Sequence, residues 1–99
     1  MKAHMKLELE TLGHFINGAG VADGERTQPV FNPATGKIVR EVSLAARATV
    51  EQAIAAAAAA FPAWRNTPPL KRARIMFRCR ELLEQNANAI AEVITEEHG

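Results

Sequence analysis

The run AIAAAAAAF, from Ala53 to Phe61, constrains this chain more than any other feature. Alanine is the best helix former, yet it has almost no bulk with which to fill a core. A helix built from it has to lie close against a neighbouring helix or sheet. Thr49-Val50-Glu51-Gln52 reads as a capping box at its start, and Pro62 as its end. Val50, Ile54, Ala57, Ala58 and Phe61 follow the spacing of one buried face. The run is too short to span a bilayer, which takes about 20 apolar residues. Its polar face is not basic, as a membrane-surface helix would require.

Thr67-Pro68 marks a second helix, with a Thr cap and Pro at the first helical position, running from Pro68 to about Glu84. Ile75, Met76, Cys79, Leu82 and Leu83 form its apolar stripe, widened by Leu70, Ala73 and Phe77. Gln85-Asn86-Ala87-Asn88 weakens the helix, and Ala87, Ile90, Ala91 and Ile94 continue an amphipathic pattern toward Glu97. Gly99 is placed as a helix C-cap.

The first half of the chain reads as strand. Residues 1–13 lack pattern and are expected to be loose. HFING, His14 to Gly18, is a short apolar run closed by an Asn-Gly turn, with Gly20, Asp23 and Gly24 extending the loop. Pro29 to Asn32 is extended, and Lys37 to Leu44 is the longest strand. Between them NPATG makes a tight turn, so that Val30-Phe31 pairs with Ile38-Val39 in a hairpin. One domain is expected at 99 residues, with one Trp, four Phe and no Tyr to build its core. Such a core is thin, and stability should sit low in the usual range of roughly 5–15 kcal/mol.

A formal net charge of +1 gives no global case for binding nucleic acid or an anionic membrane. A single cysteine excludes an intrachain disulfide framework and fits a reducing compartment. The N-terminus MKAHMKLELE lacks the apolar segment of a signal peptide. The composition reads as a soluble cytoplasmic protein.

No residue pattern here carries chemistry. Cys79 lies mid-helix on the apolar stripe, with Arg78 and Arg80 turned about 100° to either side, and reads as a core cysteine. His4, His14 and His98 are too scattered for metal ligation; His14 and His98 read as surface residues. Glu96-Glu97 sits unfavourably at a helix C-terminus, with no partner carboxylate at a defined spacing. NGAG and NPATG match neither a phosphate loop nor the dinucleotide fingerprint. In KRARIMFRCR, Lys71, Arg74 and Arg78 share a stripe that could track phosphates, but Glu81 and Glu84 are placed to pair with Arg78 and Arg80. A free-standing helical interaction or nucleic-acid-binding module using the Lys71–Arg80 face therefore stays open as an alternative.

FING, then FNPATGKIVREV, then a capped alanine-rich helix ending AAFPAW, then TPPLKRARIMFRCRELLEQNANAIAEVITEEHG, resembles the N-terminal segment of NAD(P)-dependent aldehyde dehydrogenases. The resemblance runs from His14 to Gly99 and is strongest to the CoA-acylating methylmalonate-semialdehyde dehydrogenases. It implies an α/β parent fold, of which this chain supplies N-terminal β-hairpin strands and two or three helices. Residues 14–99 would be the first part of the cofactor-binding domain, stopping short of the nucleotide-binding turn and the catalytic domain. The family's catalytic cysteine, general-base glutamate and oxyanion-hole asparagine have no counterpart here, so no catalytic, cofactor-binding or metal residue is assigned. The implied chemistry of the parent enzyme is thiolate attack on an aldehyde, hydride transfer to NAD, and passage of the acyl group to CoA. The implied partners are the rest of the dehydrogenase chain and further copies of the enzyme, a dimer or tetramer, and the 99 residues alone are expected to be inactive.

Overall fold

A computed structural model describes residues 9–99. The two turns that open the fold follow directly from local chemistry. Asn17 (φ 54°) and Gly18 (φ 75°) both take left-handed conformations, as a two-residue hairpin turn matched to strand twist demands. They join β2 (His14–Ile16) to β3 (Ala19–Val21), with His14 opposite Val21 and Ile16 opposite Ala19. In the second turn the Asn32 side-chain oxygen accepts from the Ala34 amide at 2.9 Å, and the Asn32 carbonyl accepts from the Gly36 amide at 2.8 Å. Gly36 takes φ 70°, and the Asn32 amide closes the loop on the Lys37 carbonyl at 2.8 Å.

That turn links β4 (Thr27–Phe31) to β5 (Ile38–Ser43) in antiparallel register, Val30 opposite Arg40 and Phe31 opposite Ile38, with a bulge between Val30 and Phe31. The expected hairpin is present. The bulge shifts its register, so that Val30 faces Arg40 rather than Val39. A further strand, β1 (Thr11–Leu12), lies parallel to β5 on its other edge, giving the order β1-β5-β4. This corrects the loose start expected up to residue 13 at Thr11–Leu12; residues 1–8 of that expectation lie outside the described residues. Ala19–Val21, read from sequence as loop, is likewise a strand, recruited by the tight turn before it.

Three helices follow: α1 (Arg47–Asn66), α2 (Pro69–Gln85) and α3 (Ala87–His98). Two expected caps are corrected. The N-cap of α1 is Ala46, not Thr49, and a carboxylate from elsewhere in the chain binds the Ala46 amide and the Thr49 hydroxyl. The helix also passes through Pro62 to Asn66, carried by the alanine run before it. Pro62 has no amide to donate to the Ala58 carbonyl, and Ala58 is exposed, where water takes the place of that bond. Thr67 then closes α1 instead of opening α2, its hydroxyl donating to the Ala63 carbonyl at 2.8 Å. Asn86 separates α2 from α3, its side-chain amide donating to the Leu82 carbonyl at 2.8 Å. Gly99 (φ 90°) caps α3 as expected, its amide donating to the Ile94 and Thr95 carbonyls.

The alanine face of α1 meets the first hairpin, Ala53, Ala56, Ala57 and Ala60 facing Phe15, Ile16 and Asn17 across a shallow groove. Helix α3 runs beside the Asn32–Ala34 turn through Asn88, Ala91 and Thr95. No apolar side chain among the described residues is buried; Ser43 alone is, at 5% exposure. The chain is also extended, 64 × 34 × 23 Å, with a radius of gyration of 18.3 Å against about 13 Å for a compact domain of this size.

Candidate functional site

Two polar junctions hold the helices to the strands. At the first, Asp23, in the loop after β3, sends one carboxylate oxygen to the start of α1. Asp23 Oδ2 accepts from the Ala46 amide at 2.7 Å and from the Thr49 hydroxyl at 2.8 Å. These bonds, the Ala46 amide foremost and Thr49 next, hold the Asp23 carboxyl below its ordinary value. His14 Nε2 lies 3.6 Å from the same oxygen. His14 is therefore a half-buried junction residue, which corrects its reading as a surface histidine.

At the second junction, Arg40 on β5 gathers carboxylates from both ends of the chain. Its guanidinium donates to Glu96 Oε2 and Glu97 Oε1 at 3.2 Å each, and its Nε lies 3.7 Å from Glu10 Oε2. The Glu96 bond raises the Arg40 pKa. The two glutamates that looked misplaced at a helix end are thus bound by a strand arginine. Sequence spacing could not show this, because 57 residues separate Arg40 from Glu97.

Cys79 is exposed, which corrects the core assignment: it does lie on the apolar stripe, but nothing among the described residues covers that stripe. Its surroundings are Ile75, Arg78, Leu82, Leu83, Asn86 and Ile90, with no general base among them. His98 is exposed, as expected, and His4 lies outside the described residues. Among the described residues no three His, Cys, Asp or Glu side chains gather as metal ligands would. The basic stripe of α2 is broken by ion pairs, Arg78 to Glu81 at 2.9 Å and Arg80 to Glu84 at 3.1 Å, as the spacing predicts. No helix among the described residues is long and apolar enough to cross a membrane.

What the chain does present is apolar surface. Ile54 and Phe61 on α1, Leu70, Ile75, Met76, Phe77, Leu82 and Leu83 on α2, and Ile90 and Ile94 on α3 are all exposed. Amphipathic helices pinned to strands by polar junctions thus present apolar faces that nothing among the described residues covers.

Comparison with known proteins agrees. Residues 21–99 match the aldehyde dehydrogenase family, and the chain belongs to that family. It is 56% identical over 89 residues to a malonate-semialdehyde dehydrogenase of Pseudomonas aeruginosa, covering 90% of this chain and 18% of the relative. A malonate-semialdehyde dehydrogenase of Bacillus pumilus is 41% identical over 95% of the chain and 20% of its own length. Among solved structures, the methylmalonate-semialdehyde dehydrogenase of Oceanimonas doudoroffii superposes with a TM-score of 0.89 at 62% identity, over 92% of this chain and 19% of that one. A protein from Sinorhizobium meliloti 1021, assigned as a methylmalonate-semialdehyde dehydrogenase and solved with NAD, gives 0.89 at 41% identity, over 95% and 19%. The chain thus spans about a fifth of the length of the relatives it matches.

Proposed function

We propose that these residues are the N-terminal scaffold of an NAD-dependent malonate- or methylmalonate-semialdehyde dehydrogenase of the CoA-acylating kind, acting in the cytoplasm. The observation that carries this reading is the close superposition on one fifth of the Oceanimonas enzyme. In this reading residues 14–99 form the outer part of the cofactor-binding domain. The uncovered faces of α1, α2 and α3 pack against the remainder of the dehydrogenase, which assembles as a dimer or tetramer.

The residues present do not fit NAD. Gly18 and Gly36 serve hairpin turns rather than a helix N-terminus, and the first turn of α1 is already occupied by the Asp23 carboxylate, which repels a phosphate. No step of aldehyde oxidation or acyl transfer falls on these residues. Their contribution is positional, and by themselves they are inactive. The test is NADH formation by the purified chain with malonate or methylmalonate semialdehyde, with and without CoA. No turnover is expected. Turnover that Cys79→Ala abolishes would overturn the reading.

A further inference from the structure

We propose that Arg72 is the charged anchor of the α2 face, receiving an aspartate or glutamate carboxylate from the part of the dehydrogenase that covers that face. This rests on the proposed scaffold role and adds the chemistry of the contact. Arg72 stands one turn before Ile75 and Met76 and two turns before Cys79, so it shares the stripe of those apolar residues. Every residue of α2 is exposed except Arg72 and Ala73, which are half-buried. Arginine normally stays in water unless it is paired. Here the Arg72 Nε is shut off from water and has no hydrogen-bond partner among the described residues.

The other arginines of α2 are placed differently. Arg78 bonds Glu81 at 2.9 Å and Arg80 bonds Glu84 at 3.1 Å. Arg74 is exposed, about 200° around the helix from Arg72. Arg72 is left without a carboxylate among the described residues. Cover drawn over the stripe buries a full positive charge together with Ile75, Met76 and Cys79. A charge buried alone costs far more than the apolar contacts beside it return, and an opposite charge offsets that cost. A carboxylate suits the site better than a carbonyl, because it takes two parallel bonds from the planar guanidinium and carries the opposite charge.

The test mixes the 99-residue chain with the remaining four-fifths of the Pseudomonas aeruginosa relative and measures their dissociation constant by calorimetry. Arg72→Met, which keeps most of the side chain and removes the charge, should weaken association by about 30-fold or more. Arg74→Met removes the same charge from an exposed position and should weaken it less than about fivefold. Arg72→Lys keeps the charge and probes the carboxylate itself. A carbodiimide, which couples an amine to a carboxylate, should then join position 72 to an Asp or Glu of the larger piece, located by peptide mass spectrometry. Equal affinity of Arg72→Met and the unaltered chain would overturn the anchor alone, as would the absence of that cross-link in the Arg72→Lys complex. Failure of the unaltered chain to bind the larger piece would overturn the scaffold role as well.

Discussion

Arg40 donates to Glu97 Oε1 at 3.2 Å, tying the central strand β5 to the last turn of α3. With Glu96 beside it, the pair fixes the C-terminal helix to the sheet without any buried apolar contact. The three-helix half of the molecule is therefore attached to the strand half largely by charge and hydrogen bonding, a weak attachment in water.

Arg40→Gln should release the end of α3 selectively. Amides from Ile94 to Gly99 should exchange faster in the variant, and the difference should shrink as salt rises, since exposed charges are screened within about 10 Å at 0.1 M. Equal exchange in both chains would show that α3 is held by something other than Arg40.

Asp23 gives an acid-side signature. Its carboxyl is held below the ordinary value, so its stabilising contribution is present above that value and lost as pH falls through the folded one. Asp23→Ala should lower the urea midpoint at neutral pH, and the difference between the two chains should shrink as pH falls below the ordinary carboxylate value. A difference of the same size at neutral and acid pH would mean that the carboxylate charge does not hold α1.

Gly13 tests the strand packing. A Cβ there would stand 2.5 Å from the Val21 carbonyl oxygen, a backbone group that cannot swing aside. Gly13→Ala should destabilise the first hairpin by about 1–3 kcal/mol. Gly24→Ala meets open space and serves as the control, with no measurable change in the urea midpoint.

These sites also show which parts of the fold could be read from the sequence. Asn17-Gly18 and the Asn32–Gly36 turn were legible because their hydrogen bonds and left-handed residues lie within five positions of one another. The cap of α1 was not: Thr49 looked like a self-sufficient cap, but its hydroxyl goes to Asp23, 26 residues upstream. Pro62 looked like a stop, yet the alanine run carried the helix past it. The apolar stripe of α2 was read correctly while the burial of Cys79 was not. A periodic pattern tells which face seeks cover, whereas the cover itself has to come from other residues.

Cys79 measures that cover. Its thiol is exposed in this chain, so a thiol reagent should label it stoichiometrically and rapidly without denaturant. Slow labelling reversed by dilution would show that copies of the chain shield the α2 face from one another.

The central claim is that this segment is a scaffold completed by the rest of a dehydrogenase. It is tested most directly by co-expressing the chain with the remaining four-fifths of the Pseudomonas aeruginosa relative and measuring NADH formation from malonate semialdehyde. The account predicts no activity from either piece alone, activity from the pair, and protection of Cys79 in the complex. Failure of the two soluble pieces to associate, or NAD reduction by the 99 residues alone, would contradict it.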